Sequence, residues 1–420
     1  MRSRRSEPGV AGDCCIRIHS FTCGARDLFQ GTDSGLWHVG WKSALDLAER
    51  RRGVRETMTC RLIYLVGQLG CGGLERQLQF LLEGLDRQHY SARVVVWNFR
   101  DSDPYVARIR ALGIPLDLFP AGYSGYSKLG AFRRLVTKLS PEVVHSYSFY
   151  TNFAAWYSSL GSRAIPIGAV QSDFEGDIKN VGPLLGRLSA RWPVHQIYNS
   201  FAAKENALKS PSLFVPKHIF VVRNGLDLQR FKSVPVASAG PALILGVGSL
   251  LQVKRWDRLL AAASALRDQG HQFHVQIAGD GPLRQDLQDQ ANRMGLAGCV
   301  EFLGYHDDIP KLISQATFLV HTSETEGCPN AVMEAMACGR AVVATDVGDI
   351  HHLVEEGTTG FVVKHDDHGM LVDRMANLLS NRELCAQMGA TGRTKAEREF
   401  GLDRLVSETL AAYEGAGWRA

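Results

Sequence analysis

The sequence predicts an α/β protein of two doubly wound domains in tandem, each a parallel sheet covered by helices. Three observations predict it. From residue 61 to about 400, short and nearly continuous apolar runs alternate with stretches of helical period, the pattern of parallel strands buried on both faces. The alternation pauses once, at 231–241 (FKSVPVASAGP), a run of small residues and prolines that reads as a linker. The 420 residues also exceed what one ordinary core holds.

In chain order, residues 1–57 are rich in Arg, Gly, Ser and Asp and show no sustained period; Met58 stands just before the first clear strand. This stretch is expected to be a poorly ordered extension or the product of a mis-assigned start. Strands are predicted at 61–66, 92–97, 142–145, 165–170, 194–198 and 218–222, with helices near 73–85, 127–139 and 200–209; these form a first domain over 58–235. A second, over 236–400, has strands at 242–248, 273–278, 300–303, 317–321, 341–344 and 360–363 and helices near 255–268, 282–294, 330–338 and 367–379. Residues 401–420 hold a last helix, at 401–416, expected to pack back across the domains. Ligands of such sheets bind beyond the carboxyl ends of the strands, so the expected site is the cleft where the two domains face each other.

Composition narrows the class. Residues 58–230 carry 20 Lys/Arg against 12 Asp/Glu, whereas 231–420 carry 17 against 24, so the two halves are expected to meet different partners. No run approaches the roughly 18–20 apolar residues of a membrane span. A cytoplasmic protein is expected, with the basic first domain as the side that would touch an inner membrane face peripherally. Nothing points to nucleic acid. The nine cysteines include no C-x-x-C pair, which argues against a disulfide framework or zinc site. Asp101-Ser102-Asp103 reads as a polar turn, and no metal requirement follows.

The most informative stretch is 324–339, ETEGCPNAVMEAMACG. Gly327 and Pro329 favour a turn, and Asn330 reads as a cap for the helix that follows. That helix points its positive end at the turn, an arrangement suited to a diphosphate. Glu326 and Glu334 flank it, eight residues and so at most about 12 Å apart at helical rise; both could accept hydrogen bonds from sugar hydroxyls. The turn 67–76 (GQLGCGGLER) follows a strand and opens a helix, and its glycines allow a ligand close to the backbone. No G-x-G-x-x-G is present, which weakens a dinucleotide reading.

These stretches together resemble retaining glycosyltransferase family 4, the glycosyl transferases of group 1, which have the GT-B fold of two facing Rossmann-like domains. Residues 324–339 resemble its E-x7-E signature, 279–289 (GDGPLRQDLQD) its G-x-G-P segment, 302–305 (FLGY) its base-binding loop, 224–227 (NGLD) its N-G-v-D segment and 72–76 (GGLER) its G-G-x-E-R loop. The resemblance runs from about 61 to 400. It implies a second domain that binds a nucleotide sugar and a first domain that binds the acceptor. Glu326 would touch the donor sugar and Glu334 the ribose. Gly327, Asn330 and Ala331 would contribute backbone contacts, Gly304 and Tyr305 would border the base, Gly279 and Ser249 would also line the donor site, and Gly72 and Gly73 would lie near phosphate and acceptor. In 246–258 (GVGSLLQVKRWDR) Lys254 matches the family's diphosphate lysine, and the resemblance leaves neighbouring Arg255 as a second candidate phosphate cation. Three positions depart from the pattern: Ser249 stands where an arginine is usual, Tyr147 where a histidine faces the donor sugar, and DVGDIHHLV (346–354) replaces G-G-x-x-E-L, with Asp349 for a glycine and His352 for the glutamate. Either Tyr147 or the preceding His145 would take the histidine's place.

The resemblance implies transfer of a hexosyl group with retention from a UDP- or GDP-linked sugar, without a cofactor, to a glycan or lipid-linked acceptor, in surface polysaccharide or glycolipid synthesis. Competing readings are a sugar-nucleotide epimerase, a degenerate nucleotide-sugar-binding protein and a dinucleotide-dependent oxidoreductase.

Overall fold

The computed structural model describes residues 60–419, apart from 71, 121–122, 173, 211–212 and 238–239. The expectation for residues 1–57 lies outside the described residues.

Two parallel sheets form the body of the molecule. The first contains β1 (Leu62–Val66), β2 (Ala92–Phe99), β3 (Leu116–Pro120), β4 (Val143–Ser146), β5 (Ile165–Val170), β6 (His195–Tyr198) and β7 (His218–Val221), in the spatial order β3-β2-β1-β4-β5-β6-β7. The second contains β8 (Ala242–Val247), β9 (Phe273–Ala278), β10 (Val300–Gly304), β11 (Phe318–His321), β12 (Ala341–Thr345) and β13 (Gly360–Val363), in the order β10-β9-β8-β11-β12-β13. Central strands such as β1 (LIYLV) and β12 (AVVAT) are buried at every residue, as helices on both faces require. Strand order reverses between β1 and β4 in the first sheet and between β8 and β11 in the second. These are the switch points at which loops diverge and leave a crevice.

The structure adds elements that local pattern conceals. β3 is an edge strand of five residues whose Asp117 pairs with Arg93 of β2 at 2.8 Å; it is too short to show a period. The helices at Pro104–Ala111, Asn152–Ser159, Phe174–Val181 and Pro183–Arg191 are also short. Helix Arg382–Glu399 is long but packs through glycine. A Cβ on Gly389 would stand 2.1 Å from the Gly339 carbonyl oxygen, and Gly392 lies against Met336. Such a contact leaves little hydrophobic period to read.

One apolar cluster runs through the junction of the domains, joining Leu62, Val66 and Leu69 of the first to Val332 and Met336 of the second and to Leu405 and Tyr413 of the last helix, Leu402–Gly415. That helix packs on helix Gly73–Gly84, where a Cβ on Gly84 would stand 2.8 Å from Val406. The chain crosses between the domains at 224–227 and again at 400–401, side by side: Leu226 N–H donates to the Phe400 carbonyl at 2.7 Å, and Arg404 donates to the carbonyls of Arg223 and Asn224. The linker is pinned by buried Arg340, which donates to Val234 O at 2.7 Å, and by Arg382, which donates to Gly240 O at 3.0 Å. No helix among the described residues is long and apolar enough to cross a membrane.

Gly389→Ala is expected to lower stability by about 1–3 kcal/mol, because the added methyl meets backbone that cannot rotate aside. Thermal unfolding checks this; an unchanged midpoint would show that helix 382–399 shifts freely over the Gly339 turn.

Candidate functional site

On the second sheet, the loops after β8 and β11 flank the switch point and are stitched together. Glu324 N–H donates to Val253 O at 2.8 Å, and Thr322 Oγ1 donates to Lys254 O at 3.0 Å. The backbone after β8 can pass there only because Gly279 lacks a side chain: a Cβ would lie 1.9 Å from Gly248 O. Lys254, closing the short helical turn Gln252–Lys254, reaches Glu326, with Nζ 2.5 Å from Oε1. The same oxygen accepts from Ser323 Oγ at 2.7 Å and faces His321 Nε2 at 3.1 Å. Burial pushes the Glu326 carboxyl upward, but the Lys254 ammonium and His321 outweigh it and hold the group well below the usual carboxylate range.

The chain then turns through Gly327 and Pro329 into helix Asn330–Ala337. Gly327 faces the first domain, where a Cβ would stand 2.8 Å from Asn199 Oδ1. The structure corrects the expectation for Asn330. It is the first helical residue rather than a cap, and its Oδ1 accepts from Asn224 Nδ2 at 2.9 Å and Gln77 Nε2 at 3.3 Å. Gln77 also pairs with the backbone of Gly225, at 2.7 and 2.9 Å. The helix N–H groups remain directed at the turn.

From the first sheet, the loop after β1 closes the site. Its backbone is held by Ser148 Oγ, which accepts from Gly67 N–H at 2.9 Å, and by Asp103, which accepts from Leu69 N–H at 3.2 Å. Gly72 and Gly73 are exposed, and a Cβ on Gly73 would come within 2.7 Å of Asn330 Nδ2 across the cleft. One turn further along helix Gly73–Gly84, Arg76 forms an ion pair with Glu334. Glu334 is 1% exposed; burial raises its carboxyl pKa, partly opposed by the Arg76 charge.

Glu326, Lys254, Glu334, Gly327, Asn330, Gly72 and Gly73 thus gather at one cleft, and Ala331 lies half-buried beside them. Ser249 is nearby in the β8 loop, where its carbonyl accepts from the Trp256 indole at 3.0 Å. Gly279 and Gly304 form a bridge, N–H to carbonyl at 2.8 Å, at the edge of the same sheet; Gly304 has φ 76°, and Tyr305 after it is exposed.

Two expectations change. His145 is 2% exposed and bonds through Nδ1 to Tyr413 Oη at 2.7 Å, packed among Tyr64, Tyr147 and Tyr413. Burial pushes its pKa down to about 3, so it is a neutral core histidine that anchors the last helix. Tyr147 is buried beside it. Arg255, in the left-handed region at φ 50°, turns its guanidinium to Asp257 and Glu324, at 2.9 and 2.8 Å; two carboxylates already neutralise it. Arg76, Gln77, Asn224, His321 and Ser323 were not singled out from sequence, although Arg76 and Asn224 stand inside motifs that were.

Asp349 departs from pattern with a physical result. Its Oδ1 accepts from Ala202 N–H at 2.9 Å, at the start of helix Phe201–Lys209 in the first domain, and its Oδ2 is buried. His352 packs with a tilted ring against Phe201 of that helix, centroids 4.8 Å apart.

The architecture, two parallel-sheet domains with their switch points at a shared cleft, is GT-B. Residues 229–395 match the family model described as glycosyl transferases group 1, and residues 72–203 that described as a glycosyl transferase 4-like domain. By these two matches the chain is similar to the glycosyl transferases of group 1 over 72–203 and 229–395. It is 30% identical to the alpha-D-kanosaminyltransferase of Streptomyces kanamyceticus over 42% of this chain and 46% of that protein. It is 26% identical to the alpha-maltose-1-phosphate synthase of Mycolicibacterium smegmatis over 64% of this chain and 78% of that one. The chain spans about half the length of several curated relatives that it matches. Among solved structures, Anabaena HepE in complex with UDP superposes with a TM-score of 0.73 at 19% identity, over 84% of this chain and all of that one.

Two outcomes are expected. Lys254 and Glu326 should couple: the loss of stability in Lys254→Ala/Glu326→Ala falls short of the sum of the single losses by about 0.5–3 kcal/mol, measured by denaturant unfolding. Additive losses would show that the pair is not energetically joined. For Asp349, burial raises the pKa above its unfolded value. A raised pKa adds stability at low pH that disappears as pH rises from the unfolded value, about 3.9, through the folded one. Asp349→Asn keeps the acceptor for Ala202 and removes the titration, so it should flatten the pH profile of stability over that window. An unaltered profile from pH 3 to 8 would rule this out.

Proposed function

We propose that the protein transfers a glycosyl group, in the first place a hexosyl group, from a nucleoside-diphosphate sugar to a hydroxyl of a glycan or lipid-linked acceptor, with retention at the anomeric carbon. One observation carries the reading: Lys254 and Glu326 meet at the switch point beside the amino end of helix 330–337, facing the Gly72–Gly73 turn of the other domain. An anion-binding end and a hydroxyl-binding acid side by side fit a sugar diphosphate.

In this reading the helix N–H groups and Lys254 neutralise the diphosphate as the bond from the anomeric carbon to the phosphate oxygen breaks. The acceptor oxygen, entering over the Gly72–Gly73 turn, bonds to the same carbon from the same face, and its proton passes to a departing phosphate oxygen. Glu326 orients the donor sugar, and Glu334 accepts from the ribose hydroxyls. The protein's work is orientation and charge stabilisation. Relatives solved with UDP and with UDP-glucose support a uridine donor, with a guanosine donor the alternative. The kanosaminyltransferase among the relatives is consistent with glycosyl transfer. Polysaccharide or glycolipid synthesis at the cytoplasmic face of a membrane is the proposed setting, with the basic first domain as the side turned to the lipid.

A thermal-shift comparison of UDP, GDP and their sugars identifies the donor, since a ligand of the native state raises the midpoint. With the responding donor, Lys254→Ala should slow turnover by about 10² to 10³. Glu334→Ala should weaken nucleotide binding, and Glu326→Ala should mainly slow transfer. Nucleotide release should require an acceptor; product sugar nucleotide with no release would point to an epimerase instead. Near-normal turnover of Lys254→Ala would remove this site.

A further inference from the structure

We propose that Arg76 binds the donor diphosphate, reaching across the cleft from the first domain. The inference rests on the nucleotide-sugar reading above and deepens it.

Two cations that the second domain brings to the cleft are already paired. Lys254 is neutralised by Glu326, and Arg255 by Asp257 and Glu324. A diphosphate seated at the amino end of helix 330–337 would therefore meet, from its own domain, one shared ammonium and the helix dipole. Arg76 stands opposite. It lies three residues, or about 4.5 Å of helix rise, beyond Gly73, whose Cα faces the Asn330 side chain. Its single ion pair uses Nη2 on Glu334, and Nε is buried with no hydrogen-bond partner among the described residues. A guanidinium has five donors in a rigid plane. One edge can keep Glu334 while another is offered to a phosphate oxygen.

The pair also gives the buried Glu334 carboxyl a counter-charge. Burial raises the Glu334 carboxyl pKa, and the Arg76 charge opposes that rise in part. When a nucleotide enters, the ribose hydroxyls give Glu334 new donors, and the Arg76 charge is then shared with the phosphates. The two domains would thus each supply a cation to the leaving group, Lys254 from one side and Arg76 from the other, so that charge neutralisation is complete only with the cleft closed.

The test separates phosphate binding from support of Glu334. Dissociation constants are measured for uridine and UDP, and for guanosine and GDP, with Glu334→Gln and with Arg76→Ala/Glu334→Gln. Both variants lack the buried carboxylate, so their difference reports Arg76 alone. The expected result is a fall of about tenfold or more in the preference for diphosphate over nucleoside, with nucleoside affinity unchanged within about twofold. Arg76→Lys in the wild-type background, which keeps a charge on Glu334, should retain part of the preference. If the preference is the same in both Glu334→Gln backgrounds, or nucleoside and diphosphate weaken equally, Arg76 does not bind phosphate. A parent protein that binds neither nucleotide series overturns the nucleotide-sugar reading itself, and this assignment with it.

Discussion

Everything at the cleft depends on a small buried cluster of amides. Asn330 of the second domain accepts from Asn224 in the crossover segment and from Gln77 of the first domain, and Gln77 is itself paired with the backbone of Gly225. Each group would leave an unsatisfied polar atom if the domains separated without water replacing it. The cluster therefore sets the register of helix 73–84 against helix 330–337. The amino ends of the two helices are brought to the same place, and so are Gly73, Arg76, Glu334 and the turn at Gly327.

The remaining contacts secure that arrangement from the sides. Asp349 places a carboxylate oxygen on the amino end of helix 201–209 in the opposite domain. The last helix returns to the first domain and binds the crossover carbonyls through Arg404, while Tyr413 holds His145. These are polar contacts laid over a continuous apolar cluster. The apolar part supplies most of the burial, and the polar part selects one relative position of the domains. Two acids of the cleft are held in different ways: Glu326 is kept as a carboxylate by Lys254 and His321, whereas Glu334 is pushed toward protonation by burial and restrained by Arg76.

The sequence by itself determined the fold class, the positions of most strands and the stretches that line the cleft. Each rests on information within a few residues: apolar runs of strand length, glycines where a backbone must approach another, a turn followed by a helix with an acid on either side. β3 and helix 382–399 escaped because their evidence is not local; one is a short edge strand and the other packs through Gly389 and Gly392. Only the tertiary structure decided which charges meet. Nothing near Arg76 in sequence names Glu334, 258 residues away, and nothing near His145 names Tyr413. Arg255 likewise reads as a phosphate cation until folding places Glu324 against it. A side chain's charge is written in the sequence, but its partner, its burial and so its protonation are set by segments that folding brings from elsewhere.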